Sequence, residues 1–181
     1  DFQAAAGGSR TLLATNTITS STATTSFDSS LITSTYDLYE IHIIYIVGSN
    51  DTVDIDMYLS DDNGSGTLNV DQMSTRARQG DSAGIENSTD AAHILIGSTT
   101  DNATSSPMAG KINLWNFGAT DVNKLVTFQV GHILDQAYAD NLRNISGVAA
   151  YNEGTTAINY VKIQFSAGTI EKAKIKLYGV T

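Results

Sequence analysis

The chain contains no cysteine, and that single absence removes disulfides, zinc–thiolate sites and thiol catalysis together. Stability must therefore come from burial and backbone pairing, and the redox compartment leaves no trace in the sequence. Basic residues are scarce: ten Lys and Arg stand against nineteen Asp and Glu, a net charge of −9. A surface of that sign repels phosphate backbones and anionic lipid, so nucleic acid is not an expected partner. No apolar run approaches the roughly 20 residues that a membrane-spanning helix needs, and no membrane insertion is expected. The opening DFQAAAGGSR lacks the basic-then-apolar plan of a signal peptide. Without an initiator Met the chain reads as a processed or partial product.

Proline occurs once, and charged residues make up only 16% of the chain. Much of the polarity comes instead from Ser, Thr, Asn and Gly, residues that suit strands and turns better than helices. A length of 181 residues with 41% hydrophobic content is enough for one core and one domain. The small residues Ala4 to Gly8 offer little to bury, so residues 1–10 read as a flexible N-terminal arm and 11–181 as a single domain. No solenoid or propeller repeat is apparent.

Period-2 alternation, the mark of a half-buried strand, recurs along the chain. Strands are expected at Leu12 to Ile18, Tyr36 to Val47, Val53 to Leu59, Leu68 to Arg78, Ala92 to Ile96, Lys111 to Phe117, Val122 to Leu134 and Ile145 to Tyr151. The Ser/Thr tract Ser20 to Ser26 reads as an exposed edge or loop. Polar loops are expected at Gln79 to Thr89 and Thr99 to Pro107, and one helical turn within Asp135 to Asn144. Eight to ten short strands and no long helix point to an all-β protein, a jelly-roll-like antiparallel β-sandwich.

The clearest alternation lies at the end. Val161, Ile163 and Phe165 share one face of the first run and Tyr160, Lys162 and Gln164 the other, while Ala173, Ile175 and Leu177 oppose Lys172, Lys174 and Lys176. Between them sits the turn-like Ser166-Ala167-Gly168-Thr169. A two-residue hairpin at Ala167-Gly168 would put Ile163 opposite Lys172 and scramble dry and wet faces. A three-residue turn would set Lys162 across from Lys174, a like-charge pair. The two runs are therefore expected in different sheets, facing each other across the core. By jelly-roll analogy the lysines are then expected beside the Val53 to Leu59 strand, pairing with Asp54 and Asp56 at about 0.2–1 kcal/mol per exposed pair.

LLATNTITSS, STYDLYEIHI followed by VDIDMYLSDDNGSG, GKINLWNF, and above all AINYVKIQFSAGTIEKAKIKLYGV together resemble small structural and fibre-type proteins of tailed bacteriophages. The resemblance implies a β-sandwich module on the virion surface, as capsid decoration or tail and fibre part. It implies other virion proteins as partners and a homo-oligomer, a trimer above all, and assigns no catalytic residue. The loop lengths between Gly66 and Lys111 depart from the family's usual ones.

Chemistry-bearing motifs are few. The stretch Ser60 to Thr67 partly resembles a calcium loop and an Asp-box hairpin, but no bidentate Glu closes it, only Asp71 and Gln72, so a plain hairpin without metal is expected. His42, His93 and His132 show no metal-ligand spacing and read as core or interface residues. No GxSxG elbow, phosphate-cradling glycine loop or paired acid/base carboxylates stand out, and neither enzyme activity nor a cofactor is expected. Trp115, with Phe117, Tyr138 and Tyr151, offers stacking surface for sugar, although a lone Trp in a sandwich is expected in the core. The polar loops around Asp81, Glu86, Asn87, Asp101 and Asn102 are the expected place for a receptor contact such as a host-surface glycan.

Overall fold

Alternating residues become strands because each second side chain enters the core while backbone groups pair sideways. The computed structural model describes residues 9–79, 83–103, 105–133, 142–151 and 153–181. Twelve strands run through them: β1 (Arg10–Ile18), β2 (Thr24–Phe27), β3 (Leu38–Gly48), β4 (Val53–Ser60), β5 (Val70–Arg78), β6 (Gly84–Ala91), β7 (Ile94–Thr100), β8 (Met108–Trp115), β9 (Lys124–Ile133), β10 (Leu142–Tyr151), β11 (Tyr160–Phe165) and β12 (Ile170–Val180). The expected eight to ten were too few. β6 begins inside the expected polar loop Gln79 to Thr89 and runs on to Ala91, and β2 takes in the end of the Ser/Thr tract and Phe27. The arm's residues 1–8 lie outside the described residues, and Arg10 already belongs to β1. The helical turn expected within Asp135 to Asn144 falls largely on 134–141, also outside them, while β10 begins at Leu142.

All pairing is antiparallel, in a large sheet ordered β1-β12-β3-β8-β9-β10-β5-β6 and a small one ordered β2-β11-β4-β7. Take β1, β2, β3, β4, β7, β8, β11 and β12 as successive strands of an eight-strand jelly roll. The first, eighth, third and sixth then make one sheet and the second, seventh, fourth and fifth the other. Two hairpins, β5–β6 and β9–β10, are inserted into this frame and extend the large sheet beyond β8.

The parity argument for the chain's end holds. β11 pairs with β2 and β4 in the small sheet, and β12 with β1 and β3 in the large one. Val161, Ile163 and Phe165 from one side and Ala173, Ile175 and Leu177 from the other are all buried in the shared core. Each full burial of a large aliphatic or aromatic side chain contributes about 1.5–3 kcal/mol. Gly168 turns the chain between the sheets at φ +81°, and a Cβ there would lie 2.5 Å from Ser49 Oγ.

The loop Ser60 to Thr67 is not a hairpin, because β4 and β5 belong to different sheets. It is a tight crossover closed by the Leu68 N–H on the Leu59 carbonyl. Inside it the Ser60 hydroxyl donates to Asp62 Oδ1, which also accepts the Gly66 N–H, while the Gly64 N–H donates to Ser60 Oγ. Gly118 likewise abuts backbone: a Cβ there would lie 2.3 Å from the Thr33 carbonyl oxygen.

Candidate functional site

The outer face of the large sheet gathers most of the unusual side chains. Along β12 the lysines alternate with buried residues and point outward. Lys172 lies opposite Val47, Lys174 between Thr17 and Tyr45, and Lys176 between Thr15 and His42. The expected pairing with Asp54 and Asp56 is therefore wrong: those aspartates sit on β4, whose neighbours are β11 and β7. The reason is one of counting. In a jelly roll the last strand lies beside the third, and with four-residue β2 included the third strand is β3 and not β4. The basic residue that does meet β4 is Lys162, whose Nζ stands 4.3 Å from the centroid of the Tyr58 ring, a cation–π contact.

Next to the ladder, Glu40 of β3 is a buried carboxylate held by two cations and an imidazole. Arg10 reaches it at 2.7 Å, Lys111 at 2.5 Å and His42 Nε2 at 3.1 Å. Burial opposes its ionisation, but hydrogen bonds from Lys111 and His42 and the charges of Lys111 and Arg10 outweigh that and hold the carboxyl below its usual range. Tyr178 completes the cluster, 4.8 Å from the His42 ring and 5.6 Å beneath the Arg10 guanidinium. Sequence reading missed this group because its members come from β1, β3, β8 and β12 and are joined only by lateral register.

Trp115 is not in the core. It is 39% exposed on the outer face, where its indole N–H donates to Thr127 Oγ1 at 3.2 Å. Ile112 and Leu114 point inward, so the opposite parity of Trp115 was a readable signal. It faces Leu125, itself exposed. From there Val148, Met73 and Ile85 continue an apolar diagonal over β10, β5 and β6, the last two among the most exposed large hydrophobics. Phe117 and Tyr151 are buried and Tyr138 lies outside the described residues. The four aromatics thus do not assemble into one sugar platform.

The three histidines stand apart. His42 serves Glu40; His93 is partly exposed, its Nε2 3.7 Å from Asp56 Oδ1 and its ring 5.7 Å from Tyr58. Burial pushes the Asp56 carboxyl up despite the pull of His93, with Asp54 adding to the rise. His132 is buried, donates from Nε2 to the Ser98 carbonyl at 2.8 Å, and has no hydrogen-bond partner for Nδ1 among the described residues. Burial, aided by the neighbouring Arg143 charge, brings its pKa down to about 4.

That depression has a pH consequence. The unfolded chain binds a proton near pH 6.5 that the folded one refuses until about 4, so the contribution of His132 is complete above pH 6.5 and lost as pH falls toward 4. By pH 5 this one group is expected to cost about 2 kcal/mol of stability. Urea unfolding at pH 7 and pH 5 checks it: a His132→Leu variant should lack that part of the decline.

The expected receptor residues scatter. Asp81 lies outside the described residues. Glu86 and Asn87 belong to strand β6, not to a loop, with Asn87 exposed opposite Met73. Asp101 is buried and accepts the Ala103 N–H, so it presents nothing to a receptor, while exposed Asn102 donates to the Ser49 carbonyl. Among the described residues no group of three or more His, Cys, Asp or Glu is placed to hold a metal ion, and no helix is long and apolar enough to cross a membrane.

Comparison of the chain with models of known families, with curated proteins and with solved structures returned no match.

Proposed function

We propose that this is a non-enzymatic structural protein of a tailed-phage virion, displayed on the particle surface as capsid decoration or tail and fibre component and assembled through contacts between copies. The observation that carries the reading is the jelly-roll strand order, an arrangement used repeatedly in virus shells. The apolar diagonal from Trp115 to Ile85 supports the assembly part, since exposed apolar strips on a rigid sheet mark protein contacts. Trimers are the favoured assembly. Weak contacts repeated over a lattice sum to firm attachment, so each need not be strong.

The purified chain is expected to run as a trimer by light scattering. Met73→Asp combined with Ile85→Asp should weaken self-association by roughly tenfold or more, because it buries charge in an apolar contact. A monomer at all concentrations that is also missing from electron-microscopy maps of whole particles overturns the reading.

A second reading, a fibre-type adhesin for host-surface glycans, is favoured by one specific feature: aromatic and cationic side chains, exposed at Trp115 and Lys172 and half-buried at Tyr178, Lys174 and Lys176, share one sheet face. On this reading the contact belongs to the sheet and not to the loops first expected to carry it.

A further inference from the structure

We infer that the β1–β12–β3 end of the large sheet binds a carboxylated polysaccharide, with one acidic sugar seated in the groove beside Lys172 and the chain running along Lys174 and Lys176. The inference rests on the adhesin reading and is independent of the virion role.

The first observation is uncompensated charge. Five of the chain's ten Lys and Arg, namely Arg10, Lys111, Lys172, Lys174 and Lys176, lie on this outer face of a protein whose net charge is −9. Arg10 and Lys111 are paired with Glu40. Lys172, Lys174 and Lys176 are not paired: no carboxylate lies within 4.0 Å of their ammonium groups among the described residues. Their cross-strand neighbours are Val47, Tyr45, His42, Thr17 and Thr15. The nearby Glu171 turns aside to the hydroxyls of Ser21 and Thr169. Three like charges in a row, about 7 Å apart along the strand, repel one another. An acidic molecule with acid groups to spare has left this row without them.

The second observation is shape. At the Lys172 end of the row a groove of about 520 Å³ opens between Ile18, Thr19, Tyr45, Ser105 and Pro107. That volume falls within the range of about 300–1,000 Å³ common for small-molecule clefts. Its walls combine an aromatic ring, aliphatic carbon, hydroxyls and one ammonium. A sugar ring carrying a carboxylate matches all four: an apolar ring face for Tyr45, hydroxyls for Thr19, an acid group for Lys172. Beyond the groove the threonines of β1 alternate beside Lys174 and Lys176, so hydroxyl and ammonium recur together along the row.

The charge spacing chooses among polyanions. The overall charge of −9 opposes a densely charged phosphate backbone. A polysaccharide with sparse acid groups meets the local amines with less repulsion from the rest of the molecule. An acidic segment of a second copy would satisfy the lysines but leaves the threonine row and the groove unexplained.

The test is titration of the full-length protein with oligogalacturonate and with neutral maltohexaose, by calorimetry at two salt concentrations. Binding of the uronate alone, weakened by salt and by Lys172→Gln, Lys174→Gln and Lys176→Gln together by roughly tenfold or more, is the expected result. An unchanged melting temperature shows that the variant is folded, and Lys174→Glu alone supplies a second reading should the triple variant fail to fold. Binding of the neutral glycan in preference overturns the inference while leaving the adhesin reading in place. No binding of either glycan overturns the inference, and a host-surface glycan array without a hit overturns the adhesin reading as well. Self-association that Lys174→Glu abolishes, without glycan binding, assigns the row to a second copy and likewise overturns the inference.

Discussion

Tyr39→Ala is expected to destabilise the fold by about 3–5 kcal/mol, the cost typical of deleting a buried aromatic ring. Tyr39 lies on β3, between β12 and β8 in the large sheet, and is fully buried, edge-on to Tyr36 with ring centroids 5.7 Å apart. Its hydroxyl carries a second load. It donates to the Thr33 carbonyl and accepts the Thr33 N–H, both at 2.7 Å, tying the segment before β3 back onto the core. Tyr39→Phe isolates that part: the ring stays, two backbone groups of Thr33 lose their partner, and about 1–3 kcal/mol is expected to go. Urea unfolding of the two variants separates packing from hydrogen bonding. Equal effects for Phe and Ala would mean that the ring itself contributes little.

Glu40→Ala is the second large effect, expected at about 2–3 kcal/mol at pH 7, less than for a wholly buried pair because Arg10 and Lys111 are partly exposed and can turn to water. Removing the carboxylate leaves Arg10, Lys111 and His42 facing one another across its former position. The pH dependence has a definite sign. Because the folded carboxyl is held below its ordinary value of 4.5, its contribution is full above that pH and is lost as pH falls through the folded value. Wild type and variant should thus converge in stability in strong acid. Thermal melts at pH 7 and pH 3 measure the convergence, and a gap that stays constant would show that Glu40 acts through packing alone. The acid window of Glu40 lies below that of His132, so the two are separable in one titration series.

The charged and exposed groups differ in how far they were legible. Trp115 was readable by parity from Ile112 and Leu114, yet the general tendency of Trp to be buried argued the other way. β6 could not be read, since GIENSTDA has no apolar alternation: it is an edge strand held by β5 through backbone pairing rather than by a buried face. β2 contributes four residues, TTSF, too few to show a period. The Glu40 cluster and the lysine row are lateral features. Their members are joined by register between strands distant in sequence, which composition and periodicity do not encode.

By itself the sequence determined which side chains of the last two runs face the core, because their strict period-2 alternation has one dry solution per strand. It also determined that the last two strands belong to different sheets, because every direct hairpin between them scrambles the faces or opposes two lysines. Only the tertiary structure decided who stands beside the lysines. Neighbours within a sheet depend on the count of every strand before them, and one short, silent strand moved Lys174 away from Asp54 and Asp56 to a place between Thr17 and Tyr45, where its charge is left open.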